Sequence, residues 1–230
     1  MCGRFALTTT AADLKEFLDT EEIPDLAPRY NIAPTQPVLI IRLRESAPSR
    51  EAAHVVWGLI PPWAPDPSIG NRLINARADS AAAKPAFRHA MKRRRCLIPA
   101  DGFYEWAARP GRTKQPYLIR RRDGAPFAFA GLWETWHGPN GEEIESCTIL
   151  TTEPNDLLKP IHSRMPVILP REAHGQWLDT AGHSPERIQS LLQPCPAEGW
   201  EAVAISTRIN SPANDDPQCQ QPMSPGDLFG

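Results

Sequence analysis

Val38-Leu39-Ile40-Ile41-Arg42-Leu43 is an apolar run rich in branched residues and reads as a buried strand. His54-Val55-Val56-Trp57-Gly58-Leu59-Ile60 reads as another, stopped by Pro61-Pro62. Working outward, strands are expected at Cys96 to Pro99, Pro116 to Arg120, Phe127 to Trp133, Cys147 to Thr152, Pro166 to Leu169 and Ala202 to Ser206. Thr8-Thr9-Thr10 ahead of Ala11 to Leu18 reads as a capped helix, with Leu14, Phe17 and Leu18 on one face. Helices are also expected near Ala81 to Lys92, Asn155 to Leu158, Arg171 to Leu178 and Pro185 to Leu192, the last capped by Ser184. Strands and short helices mix without a regular βαβ alternation. The expected fold is therefore α+β: a single domain with a mostly antiparallel, barrel-like β-sheet core and short surrounding helices. The domain is expected to span residues 1–220. The Pro/Gln-rich end from Pro217 reads as loosely ordered, with a tail at 221–230.

The chain of 230 residues is long enough for a sizeable core. Its 25 basic and 27 acidic side chains give a net charge of −2, which argues against coating nucleic acid by bulk charge and leaves room for a local basic groove. The basic residues cluster at Arg88, His89, Lys92, Arg93, Arg94 and Arg95 and again at Arg120 to Arg122. Five cysteines without a C-x-x-C pair suggest neither a disulfide framework nor structural zinc. No signal segment opens the chain and no apolar run approaches a membrane span, so a cytoplasmic protein of a reducing compartment is expected, with no membrane partner. Proline, at 26 residues, is about twice its usual ~5% share and predicts short strands joined by rigid, shaped loops.

The chemistry is concentrated in four short segments. The chain opens Met1-Cys2-Gly3-Arg4-Phe5. Removal of one methionine, which a small second residue permits, would leave Cys2 with a free α-amine and a thiol on one carbon frame. Their reference pKa values, about 7.7–8.0 and 8.5, bring useful nucleophile within reach of neutral pH. The other segments are Asn75-Ala76-Arg77-Ala78-Asp79-Ser80, Pro99 to Trp106, and Ile161-His162-Ser163-Arg164-Met165-Pro166. Together they supply a nucleophile, an amide, a carboxylic acid, an imidazole and three guanidinium groups. Taken singly each has an ordinary reading: Cys2 as a small terminal residue, Asn75 in a turn, Glu105 on the surface after a hairpin, His162 in a loop.

These segments resemble the SOS response-associated peptidase family. The resemblance runs through Met1-Cys2-Gly3-Arg4-Phe5, Tyr30-Asn31-Ile32-Ala33-Pro34, Trp57 to Trp63, Asn75-Ala76-Arg77, Arg95 to Ala100, Gly102 to Trp106, Ala130 to Glu134, Ile161 to Pro166 and Asn214 to Pro217, in the family's order and over nearly the whole chain. Asp79-Ser80 departs from the expected Glu-Thr and keeps its chemistry. The resemblance implies a sensor of abasic sites in single-stranded DNA. Its N-terminal cysteine, exposed by loss of Met1, would form a covalent thiazolidine crosslink that shields the lesion. It implies Cys2, Asn75, Glu105 and His162 as the catalytic set. Arg4, Arg77, Trp106 and Arg164 would be DNA-binding residues, the guanidiniums suiting phosphate. Trp63 reads equally as a base-stacking wedge or as core, Trp57 and Trp133 read as core, and Arg93 to Arg95 are a candidate DNA flank. A monomer is expected, with no metal or cofactor, associated with the nucleoid when bound to DNA. Lyase activity through β-elimination accompanies this reading, and autocatalytic removal of Met1 goes with the peptidase alternative. The alternatives are a cysteine-type peptidase or N-terminal-nucleophile amidase, and a non-covalent binder of damaged DNA.

Overall fold

The computed structural model describes residues 2–44, 49–109 and 113–223. Five strands close into a barrel: β3 (Pro37–Leu43), β4 (Arg50–Trp57), β6 (Arg95–Ala100), β9 (Phe127–His137) and β10 (Glu143–Thr152). The ring runs β10-β4-β3-β6-β9 and returns to β10. Its pairings are antiparallel except β4 with β10. Short strands extend its margin. β5 (Asn75–Arg77) lies parallel to β10, β11 (Met165–Pro166) antiparallel to β10, and β12 (Ile168–Leu169) antiparallel to β9. A second, antiparallel sheet packs beside the barrel in the order β13 (Trp200–Ala204), β8 (Gln115–Arg121), β7 (Gly102–Ala107), β1 (Phe5–Leu7), β2 (Arg29–Ile32). The α+β, barrel-like expectation holds.

The main core fills the barrel and the seam between the sheets. Ile40, Ile41, Leu97, Ile98, Phe129, Ile149 and Trp57 are buried there. Trp57 and Trp133 are core residues as expected. Phe5 ties β1 to the barrel, its ring edge-on to Trp57 (5.2 Å) and Phe129 (5.8 Å). A smaller cluster of Ala6, Tyr104, Leu118, Ile205, Ile209 and Cys219 fills the opposite face of the second sheet.

The helices are shorter than their patterns predict. α1 (Ala11–Leu18) forms as read, with Thr10 accepting from the Asp13 N–H and Leu14 and Leu18 buried. Residues 78–87 form linked turns, and only α2 (Arg88–Arg93) is α-helical in the 81–92 stretch. Residues 155–158 also lie in turns. Arg171 to Leu178 splits into a 3-10 turn and α3 (His174–Leu178). Ser184-Pro185 starts no α-helix, and only a 3-10 turn at Gln189–Leu192 follows. A first helical turn fixes several residues for one hydrogen bond, so segments this short take whatever turn lets Ile188 and Leu192 reach the core.

β4 ends at Trp57, not Ile60, because Gly58 has φ +135° and a Cβ there would stand 2.6 Å from the Gly70 carbonyl oxygen. The 58–70 crossing is thus a glycine-only backbone contact. At the C-terminal end, Pro217–Gln220 is a 3-10 turn with Cys219 buried, contrary to the loose end that its composition predicts. Pro222 bridges Ile205 and the Met223 N–H donates to the Ala204 carbonyl (2.9 Å). Residues 224–230 of the expected tail lie outside the described residues.

Candidate functional site

Cys2 precedes β1, the strand that lies against the barrel through Phe5. It is fully buried, with Sγ 3.8 Å from the Arg4 carbonyl oxygen. Asn75 opens β5, opposite Ile149 of β10. Its Nδ2 donates to the Cys2 carbonyl oxygen at 2.7 Å, fixing the N-terminal strand to the barrel margin. Its Oδ1 is buried with no hydrogen-bond partner among the described residues.

Glu105 sits on β7 opposite Tyr117 and is only 2% exposed. Alternation along the strand sets its direction. Phe103 and Glu105 share the face toward the main core, while Tyr104 and Trp106 face the smaller cluster. The carboxyl therefore looks into the seam between the sheets. Burial raises its pKa, an effect opposed by the nearby His162. Burial likewise pushes the Cys2 thiol far above its ordinary value, and the negative field of Glu105 adds to that. His162 lies in the turn before β11, its Nδ1 3.1 Å from the Arg164 backbone N–H that donates to it. The four residues named from the sequence thus converge from four separate segments: the N-terminus, β5, β7 and the β10–β11 turn. Among the described residues no cluster of three His, Cys, Asp or Glu could hold a metal. No helix among them is long and apolar enough to cross a membrane.

The arginines fall into two groups. Arg77 and Arg164 meet at Asp79, at 3.1 and 3.8 Å, and Arg164 also pairs with Glu153 at 2.9 Å. The Arg77 hydrogen bond is the main reason the Asp79 carboxyl titrates below its usual range. Asp79, where the family pattern suggests Glu, still reaches both guanidiniums. Arg4 and Trp106 instead meet at Ile209-Asn210, Arg4 through the backbone and Trp106 through the Asn210 side chain. Arg4 Nη1 donates to Asn31 Oδ1 (2.8 Å) and to the Ile209 carbonyl (2.8 Å), and Trp106 Nε1 donates to Asn210 Oδ1 (2.8 Å).

Three organising residues carry no role in the sequence reading. Asn31, fully buried, also donates through Nδ2 to the carbonyls of Ser211 (2.9 Å) and Asn214 (2.7 Å). Asp215 accepts from the Asn31 N–H at 2.9 Å. Asp101 accepts from the hydroxyls of Thr8 (2.7 Å) and Thr9 (2.6 Å) and from both backbone N–H groups. The available signal was that Asn31, Asp215 and Asp101 stand in the Tyr30–Pro34, Asn214–Pro217 and Pro99–Trp106 segments singled out above.

Two expectations change. Trp63 is 57% exposed, so its core reading is excluded. Arg95 leaves the proposed DNA flank. It is buried, donates through Nη2 to the carbonyls of Asp179 (2.8 Å) and His183 (2.7 Å), and lies 5.3 Å from the Trp177 ring centroid. β6 is buried on both faces along its whole length, so no position in it, Arg95 included, faces solvent.

A thiol, an amide, a carboxyl and an imidazole in one seam below a rim of guanidiniums define the class. The chain belongs to the SOS response associated peptidase (SRAP) family, whose model matches residues 1–212. Among its relatives, the abasic site processing protein YoqW of Bacillus subtilis is 44% identical, over 95% of this chain and 98% of that protein. The abasic site processing protein YedK of Escherichia coli is 32% identical, over 97% and 100%. A crystal structure of a protein from Bacteroides thetaiotaomicron superposes with a TM-score of 0.85 at 30% identity, covering 97% of this chain and all of that one.

Proposed function

We propose that this protein processes abasic sites in DNA, and that it does so by covalent capture in single-stranded DNA through Cys2 after loss of Met1. The observation that carries the reading is the hydrogen bond from Asn75 to the Cys2 carbonyl, in the seam that also holds Glu105 and His162. The relatives' role in abasic-site processing supports the substrate.

The chemistry follows from the groups present. A small fraction of abasic deoxyribose is open-chain aldehyde. The Cys2 α-amine adds to that carbon and, with loss of one water, forms an imine. The thiol then adds to the same carbon: an S–C bond forms, the C=N π pair goes to nitrogen, and the thiol proton ends on nitrogen. The product is a five-membered thiazolidine, and only an N-terminal cysteine can make it. Glu105, kept protonated to a higher pH by burial, supplies an acid for ring opening and dehydration and a base for the return steps. Asn75 holds the Cys2 carbonyl with Nδ2, and its buried Oδ1, without a partner among the described residues, is assigned to accept from the new amine. His162 serves as the second proton carrier. Arg77 and Arg164 at one rim, and Arg4 with Trp106 at the other, are assigned to the DNA strand. A thiol held protonated by burial favours attack by the amine first over a thiolate peptidase mechanism.

The test is intact-protein mass spectrometry with single-stranded DNA bearing one abasic site. The expected species is the protein without Met1, plus DNA, minus one water, stable to heat. Formylating the α-amine should abolish it, and Cys2→Ser should leave only a heat-labile imine. A heat-stable adduct in Cys2→Ser would overturn the thiazolidine. No adduct from protein confirmed to begin at Cys2 would overturn covalent capture.

A further inference from the structure

The basic cluster of the sequence divides in the fold. His89 and Arg94 pair with Glu134, each at 2.8 Å, and Arg95 is buried. Lys84, Arg88, Lys92 and Arg93 remain exposed. The backbone from Arg77 onward winds in linked turns that lead into α2. Ala81 N–H donates to the Arg77 carbonyl (2.8 Å), Lys84 N–H to Ser80 (3.1 Å) and Arg88 N–H to Lys84 (2.8 Å). α2 continues the winding through Lys92. Phe87, Ala90 and Met91 are buried on the inner side. Arg88 and Lys92 therefore fall on the outer side of α2, one turn apart, about 6 Å along its axis. Lys84, whose carbonyl accepts the Arg88 N–H, stands exposed in the turn before them.

Arg77, on the rim of the site, opens this run of turns, its carbonyl accepting the Ala81 N–H. Nearby acids are engaged elsewhere, Asp79 with Arg77 and Glu134 with His89 and Arg94. Among the described residues, neither Lys84 nor Arg88 forms an ion pair. At the far end Glu186, held low chiefly by its hydrogen bond to Ser184, also feels Lys92. The exposed Trp63 lies at the near end, its Nε1 donating to the Pro85 carbonyl at 3.5 Å. An aromatic face beside unpaired cations suits a single strand, whose bases stack while its phosphates follow the charges.

We propose that Lys84 and Arg88, extended by Lys92, hold the phosphates of the single strand flanking the lesion on the Arg77 side. The proposal rests on the abasic-DNA reading above and adds a track outside the reacting seam.

The test compares the wild type with Lys84→Gln/Arg88→Gln on abasic single strands, by fluorescence anisotropy across a salt series, after equal melting temperatures confirm equal folding. On a strand of about 25 nucleotides, loss of two phosphate contacts should lower the slope of log K against log salt by about 1.4 and weaken binding roughly tenfold. On a strand of about 5 nucleotides centred on the lesion, too short to reach the track, the two proteins should differ little. Equal affinity and slope on the long strand overturns the track. Equal weakening on both strands overturns it too, since that is a general field and not a flank contact. If the wild type binds no abasic strand, the abasic-DNA reading itself falls and takes the track with it.

Discussion

Glu105 shows how one residue's environment trades stability for chemistry. Its carboxyl is almost wholly buried and burial raises its pKa. The sign of the effect on stability is fixed by linkage. Between its ordinary value near 4.3 and its raised one, the folded state binds more proton than the unfolded state, so stability falls as pH rises through that window and stays lower above it. Glu105→Gln removes the titration. The variant should melt a few degrees above the wild type at neutral pH, with 1 kcal/mol worth about 2–4 °C in a domain of this size, and match it at low pH. Its crosslinking should be slower while DNA binding is retained. Equal melting temperatures across pH would mean that the buried carboxyl costs nothing, and unchanged crosslinking kinetics would remove its catalytic role.

At the scale of elements, three-residue β1 is too short to hold Cys2 by its ladder alone. Its C-terminal end is clamped by Asp101, which gathers the hydroxyls and N–H groups of Thr8 and Thr9. Its middle is anchored by Phe5 against Trp57 and Phe129. Asp101→Ala leaves those donors without their acceptor and should cost about 2–3 kcal/mol in denaturant unfolding. It should also slow crosslinking, since β1 carries the nucleophile. Asp101→Asn, which keeps two lone pairs on one oxygen, should recover part of both. A second element-scale device is the 58–70 crossing. Gly58→Ala combines an unfavourable φ with a Cβ 2.6 Å from the Gly70 oxygen, so it should destabilise by more than about 1 kcal/mol, read from the urea midpoint.

The molecule as a whole should lose stability in mild acid, and His174 supplies one identified cause. It is fully buried, edge-on to Phe17 at 5.4 Å. Burial first, then the charge of Arg50, lowers its pKa to about 4, with Arg171 adding to the same direction and Glu172 opposing it. A histidine that is harder to protonate when folded binds fewer protons than the unfolded chain. Stability is therefore intact above about 6.5 and drains away as pH falls from there toward about 4. Urea midpoints at pH 7 and pH 4.5 should diverge more in the wild type than in His174→Leu. An equal pH dependence in both would place acid sensitivity elsewhere.

The sequence by itself determined the α+β class, the strands from Val38 to Leu43 and from Phe127 onward, the capped first helix, and the four segments that meet at the site. These were legible because apolar periodicity and turn residues act locally, and because the polar motifs stand inside apolar surroundings. What only tertiary structure decided is how those segments are used. β1, β2 and β5 are too short or too polar to announce themselves, and they form because neighbouring strands supply their hydrogen bonds. Glu105 reads as an exposed carboxylate until strand alternation in β7 turns it into the seam. Arg95 and Arg88 stand in one basic run, yet one is buried under Trp177 and the other faces solvent. A burial pattern of this kind is set by long-range packing, and no window of sequence contains the partner strand.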